Sequence, residues 1–323
     1  QWLSDASLIT NYNKNINPNY RIQIESALQT SKNYIQKTKP NDELSYKNFL
    51  STDLDLEGFN LNKIDDHIKI SLKFYQTNQE NENNQIIPIV LPKIEYFSGY
   101  KNNNGKISNS TYEFYNIFRD KNSNIHAKNQ QKISHKYNFS NSVIKYNSKI
   151  LFNTEIYNQV FNTDNKLINN KYHTGTYYRL FPIFGVTSET PFKVKRFLSD
   201  LTIKPKIQLI ISPGSSNSNK LSNEDSTNND FNLDNFFNLN RYSGNDKLDN
   251  SKRLVFGLNT FTNNFKTSFY QTYEITENSN FHIEQGNNDS LSDLIGNLQY
   301  INDNEISYDF RYDVGDAYLK KQN

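Results

Sequence analysis

The chain has 323 residues, with 36 Lys and Arg against 34 Asp and Glu, a formal net charge of +2, and no cysteine or methionine. That balance, without a dense Lys/Arg block, argues against a nucleic-acid partner, and the missing cysteines exclude a disulfide framework or a thiolate metal site. With 14% aromatic residues the chain is too aromatic for a disordered segment, while 35% hydrophobic content is too little for one large dry core. No apolar run approaches the ~20 residues of a membrane helix.

Taken in chain order, the local signal is alternation. Tyr20, Ile22, Ile24 and Leu28 are spaced by Arg21, Gln23 and Glu25, and Ile68, Ile70, Leu72 and Phe74 by Lys69, Ser71 and Lys73. Ile150, Phe152 and Ile156 alternate with Lys149, Asn153 and Glu155; Leu254, Phe256 and Leu258 repeat the theme. Glu305, Ser307, Asp309 and Arg311 interleave with Ile306, Tyr308, Phe310 and Tyr312. Neighbours along a strand face opposite ways, so each segment has one apolar and one polar face. Lipid outside and water inside make the same demand on a transmembrane barrel. About thirteen strands of ~10 residues are predicted, starting near Tyr20, Phe49, Asp66, Pro88, Ser110, Gln131, Asn147, Arg179, Thr202, Arg253, Phe265, Ser290 and Glu305. Pro92 lacks an amide donor, so a bulge is expected there.

The links between these strands alternate in length. Long links are expected at Thr30 to Asn48, Gln76 to Ile87, Asp120 to Gln130, Gln159 to Tyr178, Pro213 to Lys252 and Ile275 to Asp289. Short ones are expected at Phe59 to Asp65, Ser140 to Tyr146, Arg196 to Leu201, Thr262 to Asn264 and Ile301 to Asn304, with Phe97 to Asn109 intermediate. Outer-membrane barrels sort their connections in this way, with short periplasmic turns and longer outer loops. The fold expected is therefore all-β, an antiparallel transmembrane β-barrel, with residues 1–323 as a single partial segment of a larger barrel in the cell outer membrane.

Several stretches resemble the LptD family of lipopolysaccharide-assembly proteins. Asn223-Glu224-Asp225-Ser226, followed by Phe236-Phe237, Asn240-Arg241-Tyr242, Gly244 and Asp246, resembles the family's Asn-Glu-Asp-Ser stretch and the residues after it. Ile203-Lys204-Pro205-Lys206-Ile207-Gln208 is similar to its Leu-Glu-Pro-x-x-Gln strand, Ser31 to Ile35 to its Ser-Asp-x-x-Tyr-Leu, and Leu91-Pro92-Lys93-Ile94-Glu95-Tyr96 to its Leu-Pro-x-x-x-Tyr. The chain departs from the pattern at Lys204, Asn245 and Lys247, which stand for an acid, an aromatic and an arginine. The resemblance implies lipopolysaccharide transport to the outer leaflet through a barrel lumen. It also implies an LptE-like lipoprotein plug, an LptA-like periplasmic bridge reaching the barrel through an N-terminal jelly roll, and a lateral opening between the first and last strands. The opening Gln1-Trp2-Leu3 suggests a piece of a longer protein, with the jelly roll and both seam strands expected to be absent.

The link Pro213 to Lys252 is long for an ordinary connection. Its acids, Arg241 and its aromatics suggest that it folds over or into the barrel mouth, with Arg241 paired to Glu224 or Asp225; the motif residues Asn223, Glu224, Asp225, Ser226, Phe237, Asn240, Arg241, Gly244 and Asp246 are the candidate site. The alternative is a solvated loop. Lys69, Lys73, Lys149, Glu155, Glu305 and Arg311 are expected to face the lumen, either easing an anionic glycolipid past or pairing with acids on neighbouring strands. Asn223-Glu224-Asp225 lacks the spacing and glycine of a calcium loop. The histidines, His67, His126, His135, His173 and His282, are scattered, without ligand spacing, and are expected to be exposed to solvent or lumen. Pro213-Gly214-Ser215-Ser216 reads as a turn, and no nucleophile elbow is present. Neither an enzyme nor a cofactor is expected. The rival readings are a porin or receptor barrel and an extracellular β-rich adhesin, the latter disfavoured by the absence of a fixed repeat.

Overall fold

The computed structural model describes all residues except 1–4, 62–64, 81–82, 102–104, 124, 196–199, 213–216, 228–231, 277–286, 289, 303–304 and 323. Its strands form one sheet. They are β1 (Ser7–Asn17), β2 (Tyr20–Gln29), β3 (Phe49–Phe59), β4 (His67–Thr77), β5 (Ile89–Lys101), β6 (Lys106–Phe118), β7 (Asn129–Lys145), β8 (Ser148–Ile168) and β9 (Lys171–Glu189). After the short β10 (Phe192–Val194) come β11 (Leu201–Ile211), β12 (Lys252–Phe261) and β13 (Phe265–Glu274). The two-residue β14 (Asn287–Asn288) and β15 (Leu291–Ser292) precede β16 (Leu294–Ile301), β17 (Glu305–Asp313) and β18 (Tyr318–Gln322). Every long strand pairs antiparallel with the next long strand in the chain. Among the described residues no ladder joins β1 to β18.

Nine of the thirteen predicted starts fall within a long strand, and Asp66, Pro88, Asn147 and Ser290 fall one to four residues before one; β1 and β18, and the short β10, β14 and β15, carry no such signal. β1 reads Asn-Tyr-Asn-Lys-Asn-Ile-Asn over its second half, with too few apolar residues to signal a strand. The link expected from Gln159 to Tyr178 is a correction. It is a continuation of the β8–β9 ladder, closed by Asn169 and Asn170, both with positive φ (48° and 62°), as a two-residue hairpin turn requires. Its polar Asn and Thr residues were read as loop because a ladder extending past an apolar band has no apolar face. The intermediate link at Phe97 to Asn109 is short, since β5 runs to Lys101 and β6 begins at Lys106. With those two corrections the extended links share one end of the sheet with the Asn169-Asn170 turn and the turn between β17 and β18, and the remaining short turns lie at the other end. The Pro213-Gly214-Ser215-Ser216 turn and His282 lie outside the described residues, as do parts of the links at Arg196 to Leu201, Ile275 to Asp289 and Ile301 to Asn304.

Pro92 sits in a bulge. Between Val90 and Lys93, β5 has one residue more than the facing stretches of β4 and β6, and the Asn116 side chain donates through Nδ2 to the Leu91 carbonyl at 3.1 Å. The link from β2 to β3 is packed rather than loose: Ile35, in the single helical turn α1 (Tyr34–Thr38), is buried with Ala27 and Leu50. Gln29 holds it by accepting from the Ile35 amide at 3.1 Å.

Register assigns the faces. Leu54, Phe74, Ile133, Phe152, Leu180, Phe184, Ile207, Phe256, Leu298 and Ile306 lie on one face and remain exposed. The other face carries Tyr157, Phe181, Ile183, Ile210, Val255 and Ile295, from β8 to β16, and all of these are buried in one cluster with Phe236, Leu239, Tyr242 and Leu248 of the β11–β12 link. Strands so far apart in the sheet order meet one segment only if the sheet curves around it. This is an open antiparallel barrel wall with its apolar surface outward, and the histidine expectation fails at His135, which stacks on Tyr112 on the outward face at 4.5 Å.

Candidate functional site

The β11–β12 link, residues 212–251, folds against the inner face. Its entry and exit are drawn together by the Ser212 amide donating to the Ser251 carbonyl at 3.0 Å, and by Asn217, whose side chain bonds both the amide and the carbonyl of Leu248 at 2.9 Å.

Two aspartates clasp the link to itself. The Asp246 carboxylate accepts from the Glu224 amide at 2.7 Å and the Asp225 amide at 3.1 Å. The Asp225 carboxylate accepts in return from the amides of Asn245 at 3.1 Å and Asp246 at 2.8 Å. Asn223 closes a turn onto Ser226, whose hydroxyl accepts from the amides of Asp246 and Lys247 at 2.9 Å. Gly244 is required by close approach: a Cβ there would lie 2.4 Å from the Asp225 carbonyl oxygen.

The sheet grips this clasp through inward side chains. Lys132 of β7 is fully buried; its ammonium lies 2.8 Å from Asp246, 3.3 Å from Asp225 and 2.9 Å from Glu113 of β6. The Tyr115 hydroxyl reaches Asp246 at 3.1 Å, and Gln130 exchanges bonds with the main chain of Ser222 at 2.8 and 2.9 Å. Arg179 of β9 donates to the carbonyls of Asn245 and Asp246, both at 2.8 Å. Glu224 pairs with Arg119, and His126 lies 3.5 Å from its carboxylate. Against the push of burial, hydrogen bonds from His126 and Arg119 hold the Glu224 carboxyl at about 2. Burial pushes the Asp246 carboxyl up to about 6, against the pull of Lys132.

Arg241 is not paired with Glu224 or Asp225, which corrects the sequence expectation. Its guanidinium meets Asp249 at 2.6 Å and Glu274 of β13 at 2.7 Å, and Arg253 of β12 shares Asp249 at 2.8 Å. The reason is position: Arg241 follows the apolar turn Phe236–Leu239 that packs toward β12 and β13, while Glu224 and Asp225 lie toward β6 and β7. Phe237 packs edge-on to Tyr270 at 4.9 Å, and the Asn240 side-chain oxygen accepts from the Asp249 amide at 3.1 Å.

Of the other inward candidates, Lys69 bridges Asp55 at 2.8 Å and Glu57 at 3.4 Å, and Lys73 faces Asp53 at 3.6 Å. Glu155 meets Lys136 at 3.3 Å, and Arg311 meets Asp293 at 3.4 Å. Lys149 and Glu305 lie on the same face by register and are exposed. Sequence reasoning missed Lys132, Arg119, Arg179, Arg253 and Glu274. Lys132 did carry a signal, since it alternates with outward Ile133 between Gln130 and Ser134, but nothing local marks which inward lysine meets a distant loop. The three departures from the family pattern make contacts of their own. Asn245 contributes its main chain, Lys204 lies over Phe261 at 4.9 Å and Lys247 over Tyr242 at 5.9 Å.

Among the described residues no group of three or more His, Asp or Glu is placed to hold a metal. The arrangement holds a segment inside a wall. A family model described as "LptD: LPS transport system D" matches residues 6–323. None of the curated proteins compared with the chain matches it.

Proposed function

Because the chain belongs to the LPS transport system D family, whose members act in lipopolysaccharide transport and assembly at the outer membrane, we propose that it works as a non-enzymatic barrel wall embedded in that membrane. Its outward apolar face would meet lipid, and its polar interior would let the sugar-phosphate part of lipopolysaccharide pass toward the outer leaflet. The single observation that supports this division is the sorting of side chains by register, with Phe152 and Phe256 uncovered outside while Lys132 and Arg253 are buried inside. In this reading residues 212–251 are an internal plug, and Lys69, Lys73, Lys149, Glu155, Glu305 and Arg311 line the remaining polar passage. An LptE-like lipoprotein and an LptA-like bridge are the partners expected of such a protein.

Deleting Ser222 to Asp246 in the full protein should raise cellular uptake of large antibiotics. Unchanged uptake, with normal protein levels in the outer membrane, would remove the plug from this reading.

A further inference from the structure

The wall has one seam unlike the others. β9 is paired with β8 along its whole length, from Lys171 to Glu189, but with β11 only from Phe184 to Glu189. Past Ile211 the chain turns inward, where Ser212 meets Ser251 and Asn217 meets Arg179 at 3.3 Å. β12 starts at the same level, with Lys252 opposite Ile211. Among the described residues no strand therefore lies beside β9 above the end of β11.

The main-chain groups on that side of β9 follow from pleat. The Thr190 amide donates to the Pro205 carbonyl across the seam at 3.2 Å, so residues of even number on β9 point their amides and carbonyls toward β11. The only irregularity of the β8–β9 ladder, between Thr163 and Lys166, places its extra residue on β8, so the β9 pleat is unbroken. Pro182 is the first even position past the ladder and has no amide to donate, which lets the seam end there without an orphan. Beyond it Tyr172, Thr174, Thr176, Tyr178 and Leu180 present N–H and C=O groups that meet no strand among the described residues. These residues favour strands, and the edge is rigid: the Thr174 hydroxyl accepts from the Asn165 amide at 3.1 Å and donates to Asp164 at 3.0 Å. The outward residues change from Phe184, Leu180 and Tyr178 to Thr176 and Thr174, so much of that stretch stands past the apolar band. Between Lys171 and Ser188, β9 carries Lys171 and His173 and no acid, Arg179 being turned inward onto Asn245 and Asp246.

We propose that this edge of β9 is a docking site for an extended, acidic segment of a partner protein, which adds to the sheet as an antiparallel strand beside residues 172–180. Exposed edges template such pairing, and the basic residues select the charge of the guest.

The full chain in lipid nanodiscs, probed with a fluorescein-labelled Glu-Thr-Val-Glu-Val-Thr-Val-Glu peptide, tests this by anisotropy and hydrogen exchange. Saturable binding is expected. Thr176→Pro and Tyr178→Pro should each weaken it about tenfold or more, whereas Thr176→Val, which keeps the amide, should leave it unchanged. Without peptide, the amides of 172, 174, 176, 178 and 180 should exchange fast and their odd-numbered neighbours slowly; peptide should slow the fast set. That readout needs no variant. The proposal is overturned by absent binding, by equal binding of the lysine analogue, or by slow exchange of the even amides in the free protein. Disulfide-linked pairs of Thr176→Cys chains would also overturn it, since the edge would then be taken by a second copy.

Discussion

The inner face treats its charges in two ways. Over β2 to β4, Arg21, Glu57, Lys69 and Asp55 form a cross-strand ladder in which Lys69 keeps 28% of its side chain exposed. Over β6 to β13, Lys132, Asp246, Arg241, Asp249, Arg253 and Glu274 are 0–2% exposed. The alternation that produced both is the same. What differs is the link 212–251, which covers one region and leaves the other wet. Wet pairs are worth ~0–1 kcal/mol, while removing one partner of a dry pair costs ~3–5 kcal/mol. The charges that matter most to the fold are therefore those beneath the loop.

Lys132→Met should break the contrast most strongly. It leaves Asp246, Asp225 and Glu113 facing one another without their cation, so a loss of ~3–5 kcal/mol is expected, read as a lowered thermal midpoint and earlier protease cutting within residues 217–251. Gly244→Ala comes next, at ~1–3 kcal/mol, because its Cβ would meet main-chain atoms of Asp225; the same protease assay reads it.

A change of pH sharpens the comparison. Glu224 has its pKa depressed from 4.5 to about 2, so its contribution is present above 4.5 and is lost as pH falls toward 2. Asp246 is raised from 3.8 to about 6, so its ionisation opposes the folded loop, and stability falls as pH rises through 6. Protection of the loop amides from exchange should rise modestly from pH 7 to about 5 and then decline below 4.5. Asp246→Asn should flatten the upper limb and leave the lower one. A monotonic profile would contradict this assignment of the two carboxyls.

The smallest effect is expected in the wet ladder. Lys69→Glu with Lys73→Glu should shift stability by ~1–2 kcal/mol, yet, if this face is the glycolipid route, lower lipopolysaccharide at the cell surface by more than the change in folded protein. Transport in proportion to folded protein would reduce these lysines to structural partners.

The strands were legible because period-two alternation depends on neighbours in the chain, and the resemblance to LptD, whose family model matches residues 6–323, carried through. β1 was hidden by its asparagines, and the end of the β8–β9 hairpin by its distance from any apolar band. At the site, the motif Asn223 to Asp246 named the right segment, but its partners were out of reach. Arg119 and Glu224, or Lys132 and Asp246, are more than a hundred residues apart, and only curvature brings them together. Arg241 was assigned to the nearest acids of its own motif, whereas the turn at Phe236–Leu239 sends it toward β13.

The reciprocal bonds of Asp225 and Asp246 carry a mechanical implication. Each carboxylate ties down the amides beside the other, so the stretch between them is a closed ring and cannot unravel one bond at a time. Such a body would leave the barrel interior by swinging as a unit about its neck at Ser212 and Ser251, and a crosslink across that neck would tether the ring without locking it in place.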